Sequence, residues 1–102
     1  MSITDYRTQK LDRNQARKLI SEIAHRYPAH IRFSRHALEE IRKDNLTTAD
    51  ILNVIKSSSA KVLHGGELEN GTYRYRLETG SITVVVSFDS QTNLVVVTAW
   101  RK

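Results

Sequence analysis

Apolar residues recur at spacings of three and four through the first half of the chain and at spacings of two through the second, a pattern of helices followed by strands. Ala16, Leu19, Ile20, Ile23 and Tyr27 form one helical stripe behind Asp12, a good N-cap. Pro28 ends that helix because it cannot donate to the helical ladder, and Arg13, Arg17, Lys18 and His25 fall mainly on its other faces, so its basic charge is expected to face outward. Ile31-Arg32-Phe33 reads as a short extended piece, and Ser34 then caps a second helix from about Arg35 to Lys43 that buries Ala37, Leu38 and Ile41. Asn45 stands where helices often terminate. Thr47 or Thr48 caps a third helix with Ile51, Leu52, Val54 and Ile55 turned inward, ending at Ser57-Ser58-Ser59.

From Ala60 onward the period changes to that of strands. Lys61 to His64 reads as a strand broken by Gly65-Gly66, as a bulge or bend would break it. Asn70-Gly71 is a strong hairpin signal, since both residues tolerate positive φ. Strands Thr72–Leu77, Ser81–Phe88 and Leu94–Trp100 follow, with connections too short for a parallel crossover. They therefore form an antiparallel meander. The expected fold class is α+β: two to three N-terminal helices packed on one face of a three- to four-stranded antiparallel sheet. The chain is expected to be a single domain over 1–102, with 1–10 a flexible lead-in, 11–59 the helical half and 60–102 the sheet.

Alternation assigns the faces of each strand. Tyr73, Tyr75 and Leu77 oppose Thr72, Arg74 and Arg76; Ile82, Val84, Val86 and Phe88 oppose Thr83, Val85 and Ser87. On the last strand simple alternation groups Leu94, Val96, Thr98 and Trp100 together, against Val95, Val97, Ala99 and Arg101. Thr98 and Trp100 then fall with the apolar set, away from the arginines, unless a twist or bulge brings them round.

Composition narrows the function classes. The chain has 102 residues, 39% hydrophobic and 26% charged, and no cysteine, which removes disulfides, thiolate metal sites and cysteine nucleophiles. No apolar run approaches the length of a membrane helix, and the N-terminus lacks a signal-peptide core, so a cytoplasmic protein with no membrane partner is expected. The net charge of +5 is lopsided. Residues 1–43 hold ten Lys/Arg against five Asp/Glu, whereas residues 44–102 hold six of each. Such a basic half attracts polyanions, nucleic acid first among them, and equally describes a solvated face.

Arg74 and Arg76 lie two apart on one strand face, where a guanidinium needs a partner or a cleft. Arginine reads phosphate through its planar donors. The competing reading is a surface ladder paired with Glu67, Glu69 or Glu78. His36 sits in the first turn of a helix directly after a strand, suited either to proton transfer or to a structural hydrogen bond. His25 and His30 read as surface residues and His64 as an edge residue beside glycines. No metal-binding spacing and no glycine-rich phosphate loop is present, so neither metal nor cofactor is expected.

Taken in order, Ile31-Arg32-Phe33-Ser34-Arg35-His36-Ala37-Leu38-Glu39-Glu40-Ile41-Arg42, Leu46-Thr47-Thr48-Ala49-Asp50-Ile51, Arg74-Tyr75-Arg76 and Val97-Thr98-Ala99-Trp100 resemble the small domains of unknown function that open with an FSxHAxxRM motif and close on a VxTxY strand. Those are grouped with BrnT, MqsR and RelE toxins and with colicin D and EndoU nucleases in a barnase-like ribonuclease superfamily. The resemblance covers residues 31–101. It implies a RelE- or barnase-like fold in which RNA is cut at a cleft on the sheet without metal. It places His36 at the proton-transfer position, Arg74 and Arg76 at phosphate-stabilising positions, and Thr98 with Trp100 on the closing strand. Trp100, Arg35 and Arg101 are the expected substrate-binding residues. Two departures stand out: Glu40-Ile41 replaces Arg-Met, and Trp100 replaces a tyrosine, so no phenol can serve as an acid there.

The expected function is thus that of an RNA endonuclease toxin, with mRNA or tRNA as substrate and a cognate antitoxin or immunity protein as partner; a homodimer is compatible with it. The alternatives are a non-catalytic RNA- or protein-binding module on the same fold, and an interaction domain whose sheet edge near Lys61 to His64 pairs with another chain.

Overall fold

Three capping residues set the helical part of the computed structural model, which describes residues 6–102. The Asp12 carboxylate accepts from the Gln15 N–H while the Gln15 side chain accepts from the Asp12 N–H, a capping box that starts α1, Arg13–Arg26. Ser34 accepts from the Ala37 N–H and starts α2, Arg35–Lys43. Thr47, with Asp50 reciprocating, starts α3, Thr48–Lys56. Asn45, at φ 57°, closes α2: its N–H donates to the Arg42 carbonyl and the Leu46 N–H to that of Ile41, a left-handed C-cap.

Among the described residues the sheet has six strands: β1 (Ile31–Phe33), β2 (Lys61–Val62), β3 (Glu67–Glu69), β4 (Thr72–Glu78), β5 (Ile82–Ser90) and β6 (Asn93–Arg101). The expected meander is β4-β5-β6, and the spatial order is β1-β6-β5-β4-β2, with β3 also pairing β4. The sheet is larger than expected for two reasons. Ile31–Phe33 joins it, parallel to β6, with Ile31 opposite Leu94 and Phe33 opposite Val96. The Lys61–His64 strand shrinks to Lys61–Val62, and the Asn70-Gly71 turn (φ 52° and 79°) folds a further strand, β3, onto β4.

Between β2 and β3 the chain advances from Val62 to Glu67 while its partner β4 advances only from Leu77 to Arg74. The extra residues loop at Gly65-Gly66, as a bulge demands. Gly66 is required there for space. A Cβ would lie 2.9 Å from the ring of Tyr75, whose hydroxyl accepts the Leu11 N–H at 2.9 Å.

The helices cover one face of the sheet through a contiguous core. Ala16, Ile20 and Ile23 of α1, Ala37 and Ile41 of α2, and Ile51 and Ile55 of α3 meet Leu77, Val84, Val86, Phe88, Leu94 and Val96. Several expectations need correcting. Leu38 is exposed, because α2 touches the core with one narrow stripe only, and Tyr27 is exposed and stacked on His30. Residues 6–10 are no loose lead-in: Tyr6 packs on the core and the Arg7 carbonyl accepts from the Tyr73 N–H. The part of that lead-in over 1–5 lies outside the described residues. Arg17 does not face outward. Its Nε donates to the Ala60 carbonyl at 3.1 Å and its Nη2 to that of Ser57, and burial lowers its pKa. No helix of the described residues is long and apolar enough to cross a membrane.

Candidate functional site

The face turned away from the helices carries the polar chemistry, and a single extra residue decides what lies on it. On the β5–β6 ladder Val85 pairs with Thr98 but Val86 pairs with Val96, which leaves Val97 as a β-bulge. Leu94 and Val96 point into the core before the bulge; after it the phase inverts, and Ala99 takes the buried position. Thr98 and Trp100 are thereby delivered to the open face. The bulge removes the conflict that simple alternation raised.

Across the three central strands Arg76, Val85 and Thr98 form one row. In the next row Glu78, Thr83 and Trp100 are neighbours, and the Thr83 hydroxyl donates to Glu78 at 3.1 Å. The Arg76 guanidinium carbon lies 5.4 Å from the centroid of the Trp100 ring, a cation–π contact that fixes the arginine over the floor. Glu78 is held below the usual carboxylate range chiefly by the Lys102 ammonium at 3.1 Å, with the Thr83 hydroxyl adding to it.

His36 reaches this face because of Ser34. The Ser34 hydroxyl accepts the Ala37 N–H as a helix cap and donates to the carbonyl of Val97 at 2.9 Å, while the Ser34 N–H donates to that of Val96 at 3.0 Å. One serine thus pins the start of α2 to the bulge, and His36 lies at the resulting rim. On the opposite side the Leu63 N–H donates to the Arg76 carbonyl, which sets His64 beside β4. His64 Nδ1 is 3.1 Å from a Glu67 carboxylate oxygen. Arg74, which is only 26% exposed, pairs with Glu69 at 3.3 Å, so its charge is already partly balanced.

These groups enclose a cleft of about 250 Å³, lined by His36, Arg74, Arg76, Thr98 and Trp100 together with His64, Glu67 and Glu69. Five of the seven site residues expected from sequence therefore converge. Arg35 and Arg101 do not line the cleft. Arg35 is an exposed residue at the start of α2, and Arg101 is held on the Asp44 side, its N–H donating to the Asp44 carboxylate at 2.9 Å. His64 and Glu67 were missed as site residues. The signal for them was the Gly65-Gly66 break, which turns an edge strand over the rim. The surface-ladder alternative describes Arg74, through Glu69, and in part Arg76, which rests on the indole and also helps to stabilise the Glu78 carboxylate. Among the described residues no group of three or more His, Asp or Glu side chains is arranged to hold a metal ion.

Residues 33–101 match the family model described as "Domain of unknown function (DUF4258)". The chain belongs to this family. The DUF4258 match takes in α2 through β6 and every residue that lines the cleft, whereas α1 lies outside it. No curated protein and no solved structure matches the chain.

Proposed function

We propose that this protein is a metal-independent RNA endonuclease, acting in the cytoplasm as the toxin of a toxin–antitoxin or toxin–immunity pair. The observation that carries the reading is the convergence, in one cleft, of a histidine, two arginines, a threonine and a tryptophan drawn from α2, β4 and β6. The motif resemblance to ribonuclease toxins points the same way.

RNA carries its own nucleophile, so the chemistry asked of the protein is modest. His36 removes the 2′-hydroxyl proton, and the oxygen attacks the adjacent phosphorus. Arg76, held by Trp100, donates to the phosphate oxygens as charge builds on them, with the Thr98 hydroxyl beside it. Arg74 joins when the phosphate displaces Glu69. The antitoxin or immunity protein acts by covering this cleft.

A second reading is a non-catalytic RNA- or protein-binding module; the two carboxylates at the rim, Glu67 and Glu69, repel phosphate and favour its protein-binding form. Purified protein incubated with RNA in excess chelator separates the two. Cleavage by wild type, reduced about 10²- to 10⁴-fold in His36→Ala, is the expected result. RNA left intact at stoichiometric protein would sink the nuclease reading, and salt-sensitive binding without cleavage would select the module.

A further inference from the structure

We propose that His64 is the second proton-transfer residue of this cleft, the general acid that protonates the leaving 5′-oxygen, with Glu67 as its positioning residue; this rests on the ribonuclease reading above. A cleavage that begins with His36 taking a proton from the 2′-hydroxyl needs a second group to end it. The 2′-oxygen–phosphorus bond forms, the phosphorus–5′-oxygen bond breaks, and the 5′-oxygen leaves at a useful rate only if it receives a proton. The products are a 2′,3′-cyclic phosphate and a 5′-hydroxyl, with no oxidation or reduction. Trp100 cannot be the donor, because an indole N–H is not an acid in this range. Arginine is a poor one, since it holds its proton too tightly.

His64 has both the chemistry and the place. Displacement at phosphorus is in line, so base and acid must approach from opposite sides. His36 stands at the β6 side of the floor, pinned through Ser34 to the Val97 carbonyl, and His64 stands beyond β4, following the Leu63–Arg76 backbone bond. Three strands, β4, β5 and β6, lie between, a floor about 10 Å wide. Arg76 and Thr98 occupy that floor, where the non-bridging oxygens would sit. The His64 side chain is 52% exposed and free to meet a ligand, yet its Nδ1 is engaged by Glu67 at 3.1 Å. That contact holds the ring through one nitrogen and leaves Nε2 for the substrate.

The test uses the full chain and an oligoribonucleotide whose bridging 5′-oxygen, at a link that the wild type cuts, is replaced by sulfur. A thiolate departs without protonation, so this substrate bypasses a missing acid but not a missing base. His64→Ala should cut ordinary RNA about 100-fold or more slowly than wild type and the thio-substrate within about tenfold of it. Glu67→Gln should show the same pattern in weaker form, and His36→Ala should fail on both. Equal losses for His64→Ala on both substrates, or no loss on either, would overturn the role of His64 while leaving His36-dependent cleavage standing. Wild-type protein that cuts neither substrate overturns the ribonuclease reading and this assignment with it.

Discussion

The two faces of the sheet are built from the same strands and obey different rules. Toward the helices Leu77, Val84, Val86, Phe88, Leu94, Val96 and Ala99 are fully buried, and each contributes by leaving water. Toward the cleft Arg76, Val85, Thr98 and Trp100 remain partly or largely in contact with solvent, and their arrangement is set by partners rather than by burial. The difference shows how a small protein separates stability from chemistry. The apolar face supplies the folding free energy, and the open face can then hold uncompensated charge at little cost to it. The separation is incomplete at one place, the start of α2, where a single serine belongs to both.

The largest expected effect therefore comes from the covered face. Phe88→Ala leaves a cavity beside Tyr75, whose ring centroid is 5.2 Å away, and should cost about 3–5 kcal/mol in chemical denaturation. Arg76→Ala, on the other face of the neighbouring strand, should move stability by no more than about 0.5 kcal/mol while removing the proposed RNA cleavage. If Arg76→Ala destabilises as Phe88→Ala does, the division between the faces is wrong. Ser34→Ala tests the junction. It should cost about 1 kcal/mol as a lost helix cap and, unlike a cap elsewhere, should also slow the proposed cleavage, because the rim is no longer tied to Val97. Thr47→Ala, a cap remote from the cleft, is the control that must lose stability alone.

The smallest effect concerns pH. The Glu78 pKa lies below its ordinary value of 4.5 in the fold, through Lys102 first, so the folded state binds that proton less readily than the unfolded chain. The stabilisation is present above the ordinary value and fades as pH falls through the lowered one. Glu78→Gln should melt below wild type near neutrality, with the gap closing in acid; a gap that widens in acid would reverse the assignment.

What could be read from sequence was whatever is decided locally. Asn70-Gly71 announced its turn because few other pairs tolerate its backbone, and Asp12, Ser34 and Thr47 announced their helices by supplying an acceptor to free N–H groups. The bulge could not be read. Residues 95–98 run Val-Val-Val-Thr, a stretch equally at home in either phase, and only the ladder with β5 reveals which valine is extra. Arg17 shows the same limit: its charge suggests solvent, but it donates to the carbonyls of Ser57 and Ala60, between α3 and β2. β1 was too short to show alternation, and its pairing depends on residues far along the chain.

That distant pairing bears on when, during synthesis, the cleft comes into being. The Ser34 hydroxyl and the Val97 carbonyl are 63 positions apart, and among the described residues β1 finds its strand partner in β6. A nascent chain emerges from its N-terminus, so the helices and the β4–β5 hairpin can gather before β6 has left the ribosome. Until then His36 has no rim to stand on, and Thr98 and Trp100 are absent from the floor. The cleft is therefore the last part of the molecule to take shape, and any chemistry it performs must wait for the final strand.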